Sequence, residues 1–265
     1  MKTRNVVPNF FSLTIFSIVM VFLYIPILIL IIFSFNNSRI VSGWHGFTLK
    51  YYYLLFQSEE IILALRNTIL VGIVATVIAT ILGIITALSL ENKKYSGRKM
   101  LSGMIFIPLV MPDILMGVSL ALLFSFLKLQ TGFTTVMIAH VTFCLSYTVI
   151  VIQSRLENFD YSLEEAAMDL GASPWQIFFK IKLPLLMPGI IAAALLSFTL
   201  SIDDFIITFF TTGRGFNTLP IYIEGAIRRG TTTTINALST LMIGFTLFLV
   251  AISSKFRRLL LTHTE

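Results

Sequence analysis

Three carboxylates sit where carboxylates are expensive. Asp113 is the only charge between Met100 and Leu127, and Asp203 and Asp204 are the only charges between Leu183 and Phe210. If these apolar runs cross a membrane, each acid costs roughly 2.5–3.5 kcal/mol near the centre of a spanning helix. Acids in such places normally face a bundle interior or a water-filled path, and they need partners. The apolar runs contain no Lys or Arg to supply one. A passing polycation would suit them; the alternative is that they are protonated or bonded to a partner subunit. On straight helices, Asp113 lies about 14 residues or roughly 21 Å beyond Lys99, and Asp203 about 15 residues or roughly 22 Å beyond Pro188. That places them at one level. On an unbroken helix Asp203 and Asp204 point about 100° apart, so only one would face the path.

Other chemistries lack their residues. No glycine is followed by lysine anywhere, so there is no phosphate-binding loop, and ATP hydrolysis is expected on another polypeptide. Three histidines (His45, His140, His263) and the single Cys144 form no triad and no metal-ligand spacing. No catalytic residue, metal or bound cofactor is expected. His140, alone in an apolar run, is expected to hydrogen-bond between helices, and Cys144 to be a small buried residue.

The elements that hold these acids follow from hydropathy. The 265 residues are 56% hydrophobic and only 12% charged, with a mean hydropathy of +0.90; soluble domains carry about 25% charged residues. About 20 apolar residues span a bilayer as a helix. Six runs qualify, predicted at about 11–35, 67–90, 100–127, 133–153, 188–211 and 231–254, in a single transmembrane domain over 1–265. The first run is too long for a signal peptide and is followed by no small-x-small cleavage site, so it reads as a retained span. The net charge of +6 lies in short segments between these runs, a mark of topology rather than of nucleic-acid binding. With both termini cytoplasmic, the inner segments hold 12 basic residues and the outer ones 7, and the loop Glu91 to Lys99 alone holds four. Arg228 and Arg229 run against this rule.

The inner loop 154–187 is the most informative stretch. Ser162 followed by Glu165 reads as a capping box opening a short helix, with Glu164 and Glu165 at its positive end. Gly171 suits a left-handed stop. Ser173-Pro174 restarts a helix as N-cap and first helical residue, expected to stop near Pro184. The apolar residues Trp175, Ile177, Phe178, Phe179 and Ile181 exceed what a linker needs. They read either as packing against the membrane and the chain's own spans or as docking into a partner.

Glu165-Ala166-Ala167-x-x-x-Gly171, then nine residues and Ile181-x-Leu183-Pro184, resembles the EAA motif of ABC-importer permeases at every defined position. The segments Tyr24-Ile25-Pro26-Ile27, Ser34-Phe35-Asn36, Gly46-Phe47-Thr48, His140 to Cys144, Ser197 to Asp204 and Ile235 to Leu238 are similar to the spermidine/putrescine (PotC-type) permeases. Tyr51 stands where such permeases carry another aromatic ring, and Pro174 where they carry an acid, so no role transfers to Pro174.

The resemblance implies an all-α membrane protein with the type I ABC-importer permease fold of six transmembrane helices, in the bacterial inner membrane. It implies that Glu165, Ala166, Ala167 and Gly171 couple to an ATPase. It adds Ser201 and Tyr51 to Asp113, Asp203 and Asp204 on the substrate path. The implied partners are a second related permease subunit in a heterodimer, two ATPase subunits that use the ATP, a periplasmic polyamine-binding protein, and the lipid bilayer. The alternatives are an importer of another solute, such as iron, thiamine or a phosphonate, or a secondary transporter using the acids as a cation path. Three carboxylates speak against an anionic solute, and the docking motif against a protein with no ATPase to dock.

Overall fold

The computed structural model describes residues 10–39, 43–91, 97–157, 159–230 and 233–261, with backbone alone for Phe10 and for 252–261. Lys2, Arg4, Lys93, Lys94 and His263 lie outside the described residues, as do residues 231–232 of the last expected span and the side chains of Lys255, Arg257 and Arg258. The chain is helical. Among the described residues there is no strand, only one isolated bridge between Asn36 and Phe47.

Among the described residues, five helices are long and apolar enough to cross a membrane. These are α1 (Phe10–Ser34), α3 (Glu59–Glu91), α6 (Phe133–Leu156), the continuous helix from Pro174 to Asp203, and α12 (Thr233–Leu261) over its Thr233–Ala251 part. A bent pair, α4 (Arg98–Val110) and α5 (Asp113–Phe126), supplies a sixth when taken as one span. This pair corrects the expected straight span 100–127: its halves meet at 116°. The cause lies in two prolines. Pro108 removes a hydrogen bond from the last turns of α4, and Pro112 drives Met111 out of the helical region to φ −74°, ψ 132°.

The chain falls into two compact units. The first comprises Met1–Glu59 and Gly225–Gly244. Here Asn36, fully buried, organises the segment after α1: its Nδ2 donates to the Gly43 carbonyl at 2.6 Å, and its Oδ1 accepts from His45 N at 2.7 Å. Thr48 N donates to the Phe35 carbonyl at 2.7 Å, so Ser34-Phe35-Asn36 and Gly46-Phe47-Thr48 lie side by side. Helix α2 (Lys50–Gln57) follows, and Tyr52 on it bonds Ser34 Oγ at 2.7 Å.

The second unit, Glu60–Glu224 with Phe245–Glu265, is built around α6. Helix α3 meets it along small residues, Ala75, Ala79, Gly83 and Ala87, spaced four apart. A methyl group on Gly83 would lie 2.4 Å from the Thr148 side chain, so that side chain packs directly against the Gly83 backbone. Close approach at small residues is how membrane helices gain van der Waals contact without a hydrophobic drive. Two buried clusters result. One joins Ala79 of α3, Met116 and Phe124 of α5, Phe143 and Cys144 of α6, and Ile207 of α10 (Ile206–Thr211). The other joins Leu90 of α3, Ile105 of α4, Ile152 and Leu156 of α6, and Leu186 and Ile190 of α9 (Leu183–Asp203). Each cluster backs one of the two regions described next.

Candidate functional site

The acids sit at helix ends, not in helix middles. Asp113 is the first residue of α5, Asp203 the last of α9, and Asp204 the extended residue between α9 and α10 at φ −67°, ψ 122°. The 100° argument therefore does not apply to Asp203 and Asp204, and the depth reckoned along a straight third span does not survive its bend. All three carboxylates nevertheless line one cavity of about 460 Å³, together with Phe143, Tyr147 and Phe205. Among the described residues no Lys or Arg lines it. Asp113 and Asp203 are exposed. Asp113 also stands in the first turn of α5, where the helix dipole favours an anion.

Asp204 is the carboxylate whose surroundings were not foreseen. Its Oδ2 accepts from Thr208 N at 2.8 Å and from Thr208 Oγ1 at 2.7 Å, and its Oδ1 accepts from Ile207 N at 3.2 Å. It thereby caps α10. Behind it lies His140, 1% exposed, with Nε2 2.9 Å from Thr208 Oγ1 and 3.4 Å from Asp204 Oδ2 and Nδ1 2.7 Å from Ser201 Oγ. One proton arrangement satisfies every atom: the Ser201 hydroxyl donates to Nδ1, Nε2–H donates to Thr208 Oγ1, and Thr208 donates to Asp204. So His140 does bond between helices, joining α6, α9 and α10. Ser201 is buried and spends its hydroxyl there. The clue in the sequence was the spacing of Ser201, Asp204 and Thr208, which would share one helix face opposite the lone His140. The same seam continues through Thr148 Oγ1 to Ser197 Oγ at 2.9 Å and Thr135 Oγ1 to the Thr211 carbonyl at 2.8 Å. Tyr51, on α2, is buried and belongs to the first unit; the cavity is made by the second unit alone.

The inner loop has the expected helices with different joints. Helix α7 (Ser162–Asp169) opens on Asp160, whose Oδ1 accepts from Ser162 N at 3.0 Å; Ser162 itself caps nothing, which corrects the capping box. The Ser162 hydroxyl, and then this N–H, hold the Asp160 carboxyl below the usual carboxylate range. Gly171 takes φ +80° and closes a Schellman motif: its N–H reaches the Met168 carbonyl at 2.9 Å, and Ala172 N–H reaches Ala167 at 3.0 Å. Ser173 caps the next helix, α8 (Pro174–Ile177), in a reciprocal pair with Gln176. This helix does not stop near Pro184. A π turn over Phe178–Lys182 feeds it directly into α9, and Pro184 falls in the first turn of that segment, where a missing N–H matters least.

The loop presents Leu170 (89% exposed), Trp175 (73%) and Met168 (55%) outward, and Glu165, Ala166 and Gly171 are exposed beside them. Ala167 and Ile177 are buried beneath. The geometry thus separates an apolar, outward loop from an acid cavity at three helix ends.

A chain of apolar helices, broken where it carries acids and with an outward apolar loop ahead of one span, has the build of a transporter's membrane component. It belongs to the family of binding-protein-dependent transport system inner membrane components, whose model matches residues 79–262. The spermidine/putrescine transport system permease protein PotC of Escherichia coli K12 is 40% identical over 237 residues, covering 89% of this chain and 90% of that protein. The putrescine transport system permease protein PotI of the same strain is 44% identical over 230 residues, covering 84% and 82%. In fold, the chain is similar to the crystal structure of a bacterial ABC transporter involved in the import of the acidic polysaccharide alginate, at a TM-score of 0.71 and 17% identity over 92% of this chain and 94% of that one. The fold is that of an ABC-importer permease, and the protein is a multi-pass component of the bacterial inner membrane.

Proposed function

We propose that this chain is the permease subunit through which an ATP-driven importer carries polyamines, spermidine or putrescine, into the cytoplasm. The observation that carries the reading is the convergence of Asp113, Asp203 and Asp204 on one aromatic-walled cavity that no Lys or Arg among the described residues lines. Polyamines are flexible chains of ammonium groups; carboxylates supply charge for them, and rings such as Phe143 and Tyr147 supply cation–π attraction. The names of the relatives point to the same substrate class. Asp113 and Asp203 face the polyamine. Asp204 shapes the cavity floor, and Ser201 acts from behind it through His140. Tyr51 meets ammonium groups elsewhere on their way.

The coupling loop docks on an ATPase subunit through Glu165, Ala166, Gly171 and the exposed apolar residues, with Ala167 holding the helix from below. The assembly has a second related permease, two ATPases that hydrolyse the ATP, and a periplasmic polyamine-binding protein. Both termini are cytoplasmic; a reporter fused after residue 265 reads cytoplasmic, and a periplasmic signal there refutes the orientation. The substrate is tested by uptake of labelled spermidine and putrescine into cells lacking their own system and given all subunits. Saturable uptake, competed by polyamines and not by anionic solutes, is expected; no uptake above vector alone defeats the reading.

A further inference from the structure

Among the described residues, Lys182 is the one cation that the second unit folds into cover at its coupling end. Its side chain is 12% exposed, and its Nζ lies 2.8 Å from Glu91 Oε1 and 2.8 Å from Glu164 Oε1. It also stands over two rings, 5.3 Å from the centroid of Phe159 and 5.7 Å from that of Tyr161. These partners come from separate elements. Glu91 ends the spanning helix α3, Glu164 lies in the first turn of the docking helix α7, and Lys182 ends the π turn that leads into α9. Burial and the neighbouring Glu91 push the Tyr161 phenol up to about 12, so the ring stays neutral beside the ammonium.

We infer that Lys182 is a positioning residue for coupling: one ammonium ties the docking helix, through Glu164, to the ends of two spanning helices, through Glu91 and its own backbone. The inference rests on the proposed docking role of the loop and deepens it. A loop joined to the spans by chain alone can rock on its turns. Gly171 is such a turn, with open space around it. The ammonium removes that freedom, because it holds α7 at a second point on the side opposite its exposed face. A displacement of α7 by an ATPase then moves α3 and α9 with it. The two carboxylates cannot hold this arrangement without Lys182, since like charges facing one point repel. Lysine suits the place because its three donors can serve two acids and still leave one toward the rings. The π turn is what aims it, by inserting one residue's worth of extra rotation between α8 and α9.

The test uses the complete complex, with its partner permease and ATPases, carrying Lys182→Met, Lys182→Arg, Glu91→Gln or Glu164→Gln. Three quantities are read: ATPase subunits co-purified per permease, ATP hydrolysed, and polyamine transported into vesicles. Lys182→Met and both Gln variants should keep the ATPase bound and hydrolysis running while transport per ATP falls roughly fivefold or more. Lys182→Arg should restore most of the ratio. If Lys182→Met fails to assemble, the two Gln variants decide. A wild-type ratio in them, or hydrolysis and transport falling together in proportion, overturns the inference. Failure of the wild-type complex to transport polyamines would instead strike the function proposed above, so the two outcomes are distinguishable.

Discussion

Asp204 and Lys182 are both charged side chains under cover, 10% and 12% exposed, in the same unit of the chain. Their neighbours differ in kind. Asp204 is satisfied by dipoles: two backbone N–H groups and a hydroxyl, with a histidine behind. Lys182 is satisfied by opposite charges, Glu91 and Glu164. Dipoles satisfy a carboxylate without cancelling its field, so the cavity keeps its negative potential for an arriving cation. Ion pairs cancel one another and fix geometry instead. On the proposed roles the cavity attracts and the loop transmits, so removing a charge should weaken substrate capture in the one place and coupling in the other.

The largest expected effect on stability is at His140. Replacing it with Ala opens a void between α6, α9 and α10 and strips partners from Ser201 and Thr208. The loss should be about 2–4 kcal/mol, read as a lower unfolding temperature of the purified protein. An unchanged melting temperature would show that the seam does not depend on the imidazole. Gly171→Ala comes next. No atom obstructs the new methyl, so the cost is the left-handed conformation alone, about 1–2 kcal/mol and local to the loop. Polyamine-stimulated ATP hydrolysis should fall, while polyamine affinity holds. Unchanged stimulation would separate the Gly171 turn from coupling.

The smallest effect belongs to Asp160. Its carboxyl is held low by Ser162, so its contribution to α7 is present above 3.8, the ordinary value, and is lost only as pH falls further, through the depressed value. Between about pH 5 and 8 the cap is constant. Asp160→Ala should lower coupling slightly and equally across that window. A pH-dependent difference from wild type within the window would assign the cap elsewhere.

Much of this contrast could be read beforehand, and the failures share a cause. The apolar runs located the spans because lipid leaves few ways to place a backbone. The turn at Gly171 and the caps at Ser173-Pro174 were legible because a few adjacent residues determine them. Prolines were ambiguous: Pro112 ended a helix and set a 116° bend, whereas Pro184 was absorbed in the first turn after a π segment. The difference depends on what packs against each, and local sequence does not encode it. The pairings of His140 with Asp204 and of Lys182 with Glu91 and Glu164 join residues 18 to 91 positions apart. Only the fold brings them together. The cost of burying acids pointed to Asp113 and one of Asp203 and Asp204 on a common path; that all three line one cavity was not expected, because the straight helices used to align them do not exist.

On the function proposed above, Asp113 and Asp203 meet the substrate while contributing little to the fold, in contrast to Asp204, His140 and Lys182. The direct test is initial uptake of labelled spermidine per assembled complex in the Asp113→Asn, Asp203→Asn double variant. Uptake should fall roughly tenfold or more, the loss expected when charge-assisted contacts worth about 1.5 kcal/mol or more are removed, with assembly and melting temperature at wild-type values. Full uptake by normally assembled complexes would contradict the claim, and would leave the acids as structural partners of the helix ends on which they stand.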